Sequence, residues 1–218
     1  MSVPVVPMWR KASYAFYHSN ITPRHASARA FAPDILKTIP LTRGDHAGET
    51  VRLRRLSVFD IARMAALMKS DTSSNLIPRS AHFLKGLFKR GDTGFGIVTE
   101  NGKLIGQALM RSSMDLVPEV LHDALKSKFN QISGAHAYIG SIIIDPTYKG
   151  NRLMDTLVNA CLDEAVLQGN AHAHARVRIE NDQCLKKFEN DFGFQTVLTA
   201  QSPDAEQPRL VHFLHRAL

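Results

Sequence analysis

Polar and apolar residues alternate along several short segments of this chain, as they do in β-strands that have one buried face. Residues 171–179 give the clearest case, because four polar side chains share one face there: His172, His174, Arg176 and Arg178. The apolar runs 94–99 and 104–111 flank an Asn-Gly pair, which is a strong hairpin signal. The runs 194–199 and 210–215 predict a last hairpin across a polar loop.

Two further segments complete the predicted sheet. Val51 and Leu53 alternate with arginines and begin the first regular strand. Residues 135–144 end in the consecutive apolar run Ile142, Ile143 and Ile144. A strand that is apolar on both faces is typical of the centre of a sheet, so this segment predicts a central strand.

Other segments repeat their apolar residues every three or four positions, which predicts helices with one buried stripe. These helices are expected at 61–68, 77–90, 115–131, 151–168 and 181–192. Ser57 and Asp60 form a capping-box pair before the first, and Asn181 can cap the last. The mixture of strands and helices predicts an α/β (α+β) domain over residues 50–218.

Residues 1–49 differ from the rest of the chain. Prolines interrupt every candidate element, and aromatic residues such as Trp9 and Phe31 are frequent. This composition is too aromatic for a simple disordered tail. We expect an arm that packs on the domain or on a partner subunit, and a homodimer could form through this arm or through a sheet edge.

Composition narrows the possible functions. A hydrophobic fraction of 44% in 218 residues suffices for a core, and no apolar run reaches the roughly 18 residues of a membrane span. The formal charge is +7, but the basic residues are scattered without interleaved aromatics, so nucleic acid is not an expected partner. Cys161 and Cys184 predict neither a disulfide framework nor a metal site. We expect a cytoplasmic protein.

The most informative stretch joins the central strand to the next helix through a basic turn. Asp145-Pro146-Thr147-Tyr148 leads into Lys149-Gly150-Asn151-Arg152, and the helix follows. A helix amino terminus offers unpaired N–H groups and the positive end of its dipole. This turn is therefore suited to bind a pyrophosphate.

Three segments are distinctive: the run Ile142–Pro146, the turn Tyr148–Asn151, and the segment from Asn181 through Phe188 to Gly193. Together with the order of elements from Val51 to Phe194, they resemble the Gcn5-related N-acetyltransferase (GNAT) family. The resemblance implies a mixed, mostly antiparallel, twisted sheet flanked by helices, with splayed central strands. It also implies acetyl-CoA as cosubstrate. The family's phosphate loop has the pattern Arg/Gln-x-x-Gly-x-Gly/Ala; here Lys149 takes the first place, while Arg152 and Met154 replace the glycine positions.

The resemblance also assigns site residues. It places eleven residues against the cofactor: Ile142, Ile143, Ile144, Lys149, Gly150, Asn151, Arg152, Leu153, Met154, Asn181 and Phe188. The backbone N–H of Ile142 would polarise the thioester carbonyl. Asn181 would contact the cofactor arm, although a plain helix cap is an equally good interpretation. Phe188 stands where many members keep a tyrosine that protonates the departing thiolate, and a phenyl ring cannot do so.

The acid and the base are therefore open. Tyr148 is a candidate acid, although we expect it on the outside of its loop. Candidate bases are His136, with Tyr138 and Ser141 on the same strand, and His172 and His174 on the next strand. The predicted function is acetyl transfer from acetyl-CoA to a small-molecule amine, by direct attack on the thioester. Two alternatives stay open: a protein or peptide N-acetyltransferase, and a non-catalytic acyl-CoA-binding module.

Overall fold

The computed structural model describes residues 35–70, 79–111, 134–202 and 209–218, which form one twisted sheet with helices on both faces. The strands are β1 (Ile35–Pro40), β2 (Thr50–Leu56), β3 (Thr93–Thr99), β4 (Leu104–Arg111), β5 (Ala135–Ile144), β6 (Asn170–Arg178), β7 (Gln195–Ser202) and β8 (Arg209–Ala217). The helices are α1 (Ile61–Ser70), α2 (Ala81–Lys89), α3 (Leu153–Leu167) and α4 (Asp182–Asn190).

The strands lie in the order β1-β2-β3-β4-β5-β6-β8-β7. Every neighbouring pair is antiparallel except β5 and β6, which are parallel. The prediction of a mixed, mostly antiparallel sheet is confirmed, and β5 lies in its interior as its isoleucine run indicates.

Local sequence signals explain where the elements begin and turn. The Ser57 hydroxyl accepts a hydrogen bond from the Phe59 N–H, and the Asp60 carboxylate accepts one from the Ser57 N–H, so the predicted capping box opens α1. Gly102 has φ +80° at the β3–β4 hairpin, a conformation that glycine adopts without strain.

Helices cover the two faces of the sheet with separate apolar cores. On one face, called here the α3 face, Leu157 and Val158 pack with Ala173, Ala175 and Phe188. On the opposite face, called the α1 face, the core is formed by residues of α1, α2 and the strands beneath them, namely Met64, Leu67, Leu84, Leu87, Leu109 and Ile143. Because strand side chains alternate between faces, each strand residue can be assigned to one of them.

The amino-terminal part of the chain contributes to this sheet. β1 lies within the range predicted as an arm, and it pairs with β2 from Ile35–Arg54 to Pro40–Thr50. The other arm residues, 1–34, and the helix predicted at 115–131 lie outside the described residues, so the boundary at residue 49 stays a prediction.

Within the described ranges, no helix is long and apolar enough to cross a membrane. The same ranges contain no group of three or more His, Cys, Asp or Glu side chains placed to hold a metal ion. Cys161 and Cys184 are free, and burial raises the pKa of both thiols.

Candidate functional site: a forked sheet beside a basic turn

The two parallel strands of the sheet separate part-way along their length. β5 and β6 pair from Ala135–Asn170 to Ile139–Ala175 and no further, although the strands continue to Ile144 and Arg178. A gap therefore opens beside the isoleucine run, and the predicted splay of the central strands is confirmed.

A bulge in β5 coincides with this gap. The pairing of β4 with β5 passes from Leu109–Gly140 to Gln107–Ile143, so two residues of β5 stand opposite one residue of β4. Ser141, one of the two, has φ +52°, which is rare for a residue other than glycine. The bulge takes the backbone of Ser141 and Ile142 out of the regular ladder, where it can pair with a ligand.

The turn after β5 presents an open helix terminus. Arg152 is the N-cap of α3, and no side chain caps the first N–H groups of that helix. Lys149 and Gly150 precede it. Together with Leu153 and Met154, these two residues line a cleft beside the start of the helix. Uncapped N–H groups beside two cationic residues fit the diphosphate of coenzyme A.

Arg152 holds its position in an unusual conformation. Its φ of 56° and ψ of 26° are left-handed. The family pattern has a glycine at this place, and the conformation gives the physical reason for that preference. Arg152 keeps the backbone path that glycine would take, while its side chain is 83% exposed and pairs with Asp155 at 3.0 Å.

Asn151 anchors this turn to the segment that follows β1. Its side-chain carbonyl accepts hydrogen bonds from the N–H groups of Thr42 and Arg43, both at 2.9 Å. Its amide donates to the carbonyl oxygens of Arg43 and Tyr148. Asn151 is buried and does not line the cleft, so its side chain supports the turn from behind.

Tyr148 lies inside the protein, and the prediction that it lies on the outside of its loop is wrong. Its side chain is 5% exposed, and its ring stacks on His46 with the centroids 3.9 Å apart. The reason is that residues 41–49 fold over the turn, a contact more than 100 residues away in sequence. Burial raises the pKa of Tyr148, and the residue still lines the cleft.

The cleft itself has a volume of about 660 Å³ and runs from the basic turn through the fork. Of the predicted cofactor residues it brings together Ile142, Ile143, Ile144, Lys149, Gly150, Arg152, Leu153, Met154, Asn181 and Phe188. Asn151 stands behind the turn, and His136 lies outside the cleft among other histidines.

A second tyrosine, Tyr138, also lines the cleft. It stands at the base of the fork, where it lines the cleft and accepts a hydrogen bond from Arg176 Nε at 3.0 Å. A Cβ added to Gly140 would meet the Tyr138 ring at 2.8 Å and its hydroxyl at 3.1 Å. The phenol therefore lies over Gly140, toward the bulge. The available signal was the glycine two residues after a tyrosine on one strand face.

The two residues assigned to the cofactor arm from α4 have different surroundings. Asn181 lines the cleft, and its side-chain oxygen accepts the Cys184 N–H at 3.3 Å, so the cap is present. Phe188 is buried edge-on against Phe192 and Phe194, with centroid distances of 5.6 and 5.0 Å. Phe188 contributes apolar surface to the cleft.

Four histidines cluster on the α1 face below the fork. Nδ1 of His136 lies 2.8 Å from Nε2 of His174, and Nε2 of His215 lies 3.2 Å from Nδ1 of His172. Burial, followed by the charges of the neighbouring histidines, lowers the pKa of His174 to about 3. His174 is therefore neutral at ordinary pH.

Known proteins share sequence and structural features with this chain. A family model described as the acetyltransferase (GNAT) family matches residues 61–194, which is more than half of the chain. The chain belongs to this family. Membership confirms the resemblance seen in the sequence and the prediction of an acetyltransferase, and acetyl-CoA is the cosubstrate. No curated protein matches the sequence.

Several solved structures share this fold at low sequence identity. The NatC complex bound to Gag peptide and CoA has a TM-score of 0.60 at 16% identity, covering 77% of this chain and 98% of its own. The ribosomal-protein-S18-alanine N-acetyltransferase from Escherichia coli has 0.58 at 17%, covering 77% and 93%. A protein named provisionally as a phosphinothricin N-acetyltransferase has 0.58 at 18%, covering 77% and 98%.

Proposed function

We propose that this GNAT-family chain transfers an acetyl group from acetyl-CoA to the amine of a small molecule. The observation that carries the proposal is one continuous cleft that joins the basic turn, the fork and the α1 face. Its volume of about 660 Å³ lies within the roughly 300–1,000 Å³ of typical ligand sites, and the cofactor fills part of it, so the space left on the acceptor side suits a small amine.

Acetyl-CoA supplies the acetyl group as a thioester: the amine nitrogen forms a bond to the acetyl carbon, the carbon–sulfur bond breaks, and one proton passes from nitrogen to sulfur. The protein's contribution begins with binding. We assign the diphosphate to the N–H groups at the start of α3 and to Lys149. We assign the pantetheine arm to the backbone of Ile142, Ile143 and Ile144 and to the amide of Asn181.

The fork also supplies an electrostatic contribution. The bulge at Ser141 releases the backbone of Ile142 from regular pairing, beside the position where the thioester carbonyl would lie. A backbone N–H there stabilises negative charge on that oxygen as the amine attacks. Removing one donor of this type from other acyl-transfer enzymes costs about 3–4 kcal/mol of barrier.

Tyr138 is our choice for the proton donor to sulfur. Arg176 donates a hydrogen bond to its oxygen, which leaves the tyrosine's own O–H to donate into the cleft. Phe188 has no such group. Tyr148 also lines the cleft, but it belongs to the basic turn that we assign to the diphosphate and not to the thioester. His136 does not line the cleft, so a role as the base would require a proton path through His174 or water.

A protein amine is the second candidate acceptor. Two of the structures with this fold are described with such acceptors: one is bound to Gag peptide, and the other acetylates ribosomal protein S18 at alanine. At 16% and 17% identity these likenesses show the fold alone, so the acceptor has to be decided by experiment.

The test has two stages. Calorimetry first measures binding of acetyl-CoA to the full chain, and release of free CoA thiol is then followed with a panel of small amines and a panel of short peptides. The proposal expects binding and transfer to at least one small amine. Transfer to peptides alone supports the second candidate, whereas binding without transfer to either panel supports a non-catalytic acyl-CoA-binding module.

A further inference from the structure

The loop between β1 and β2, residues 41–49, packs against the basic turn that precedes α3. The loop closes on itself, since the Leu41 N–H donates to the carbonyl oxygen of Glu49 and the Gly48 N–H donates to that of Leu41, both at 2.9 Å. These residues lie outside the range 61–194 that matches the family model. The contact is therefore a feature of this chain that family membership does not explain.

Two kinds of contact hold the loop on the turn. Asn151, in the turn, bonds the loop backbone at Thr42 and Arg43. The ring of His46 stacks on the ring of Tyr148. Because the loop is held both at Arg43 and three residues later, the backbone of Arg43 has a defined position beside the turn.

The side chain of Arg43 lies over Gly150. A Cβ added to Gly150 would lie 3.8 Å from Cδ of Arg43 and 4.0 Å from its Cβ. Gly150 lines the cleft, as does Lys149, whose charge we assign to the diphosphate. Since the guanidinium of Arg43 begins at the atom next to Cδ, its positive charge lies beside the turn that holds the cofactor.

The strand order places Arg43 beyond the turn as seen from the fork. β1 and its loop approach β5 from the β4 side, whereas the fork opens on the β6 side. A cofactor with its thioester in the fork reaches the turn with its diphosphate. The ribose and its 3′-phosphate follow the diphosphate in coenzyme A, so they extend past the turn, toward Arg43.

The surroundings of Arg43 leave its charge available to an anion. Arg43 is exposed, and among the residues that the structure describes no carboxylate pairs with its guanidinium. The two carboxylates of the loop are Asp45, which is exposed, and Glu49, which pairs with His46 at 2.8 Å. An arginine in this situation can pair with a phosphate without first breaking an ion pair.

We infer that Arg43 binds the 3′-phosphate of coenzyme A, so that the loop 41–49 makes the protein prefer this cofactor to its 3′-dephospho form. The inference rests on the proposed placement of the diphosphate at the start of α3, and it adds a specificity-determining residue to that site. Arginine suits the role because its planar set of N–H donors matches two oxygens of a phosphate at once.

Calorimetry on the full chain at low salt compares acetyl-CoA with 3′-dephospho-acetyl-CoA. The parent protein should bind acetyl-CoA more tightly. Arg43→Gln should weaken acetyl-CoA binding about threefold or more, a loss that solvent screening limits, and should leave binding of the dephospho cofactor within about twofold of the parent. Arg43→Lys keeps the charge without the bidentate geometry, so it should keep part of the preference.

Two further variants assign the effect to Arg43. Arg52→Gln makes the same charge change at an exposed position on β2 and should keep the preference of the parent protein. Lys149→Gln removes the charge that we assign to the diphosphate, so it should weaken binding of both cofactors to a similar degree. Thermal unfolding of all four variants confirms that they fold.

Three results would overturn the inference: equal binding of the two cofactors by the parent protein, an equal loss for both in Arg43→Gln, or a preference that survives Arg43→Gln and disappears in Lys149→Gln. The measurement needs no acceptor, so it tests Arg43 even if no amine is acetylated. Conversely, transfer to small amines without any preference for the 3′-phosphate would contradict this inference and leave the proposed function intact.

Discussion

Arg152 combines a left-handed backbone with an exposed, charged side chain at the start of α3. A non-glycine residue in this region costs of order 1 kcal/mol, and glycine would remove that strain. Arg152 thus has more backbone strain than the glycine of the family pattern would have, but it places a cation beside the helix amino terminus. The two effects can be separated by substitution.

We expect Arg152→Gly to keep or slightly raise the free energy of unfolding, because φ of 56° suits glycine. Arg152→Glu should weaken acetyl-CoA binding severalfold by reversing the charge, an effect that solvent screening limits and that 0.5 M salt should reduce further. Urea unfolding and calorimetry measure the two quantities. Unchanged affinity of Arg152→Glu at low salt would contradict the placement of the diphosphate.

Tyr138 provides a residue-scale prediction about chemistry. Tyr138→Phe removes the O–H but keeps the ring, so we expect kcat to fall about 10²-fold or more while the affinity for acetyl-CoA stays within twofold. Steady-state kinetics across pH 6–10 make the measurement.

Phe188 offers a rescue of that variant. It lies in the same cleft, so Phe188→Tyr in the Tyr138→Phe background supplies a phenol from another position and should restore part of kcat. The matched control is Phe192→Tyr, which adds a hydroxyl to a buried neighbour in the same aromatic cluster. If Tyr138→Phe leaves kcat unchanged, the proton donor is another group.

At the scale of elements, the β5 strand controls the site through its small residues. Gly140 leaves room for the Tyr138 ring, which lies over it, and Ser141 makes the bulge that separates β5 from the regular ladder. Gly140 therefore makes room for a side chain, and the adjacent Ser141 changes the path of the backbone.

Gly140→Ala tests the first of these positions. The backbone φ of Gly140 is not in the left-handed region, so alanine is compatible with the strand, but its Cβ would lie 2.8 Å from the Tyr138 ring. We expect kcat to fall at least tenfold because the phenol moves. In the Tyr138→Phe background the same change should have much less effect on kcat, since the hydroxyl is already gone. Fully additive losses in kcat would show that Gly140 acts independently of Tyr138.

The elements themselves were predictable because their signals are local. The capping box, the Asn-Gly turn and the alternation along β6 each involve residues within ten positions of one another, and each appears in the structure. The buttressing of the basic turn was not predictable from local patterns. Asn151 bonds Thr42 across 109 positions, and Tyr148 stacks on His46, so a distant segment decides which side chain faces solvent.

The fork shows a similar limit. Its existence followed only from the resemblance to a family, because apolar residues on both faces describe a central strand and do not reveal where pairing stops. A serine with φ of 52° gives no sequence signal, since the bulge is held by the neighbouring strands. The choice of Tyr138 over Tyr148 also needed three-dimensional contacts.

At the scale of the whole molecule, three strands share the histidine cluster: β5 provides His136, β6 provides His172 and His174, and β8 provides His215. The cluster lies where β5 and β6 are still paired. Protonation there would place positive charge in the paired part of the two strands, next to the fork. Stability should therefore depend on pH in a range where carboxylates stay ionised.

The direction follows from the pKa of His174, which burial lowers from its ordinary value of 6.5 to about 3 in the folded protein. The unfolded state binds the proton more readily, so this group's contribution to stability is present above pH 6.5 and is lost as pH falls toward 3. Between pH 7 and pH 5 the loss should be about 2 kcal/mol. Burial, and then the charge of His172, also lower the pKa of His215, which adds a loss of the same sign.

Urea unfolding at pH 7, 6 and 5 measures this loss, and the variant His174→Gln should show a flatter dependence because the group that resists protonation is absent. His212→Gln is the matched control: it removes a histidine from β8 that hydrogen-bonds Thr199 outside the cluster. Its pH dependence should equal that of the parent protein. Asp60, Asp145 and Glu164 have pKa values below their usual range, whereas burial raises the pKa of Asp92. The parent protein and His174→Gln share all four carboxylates, so the difference between their pH dependences isolates His174. A parent protein equally stable at pH 7 and pH 5 would show that the cluster opens to solvent.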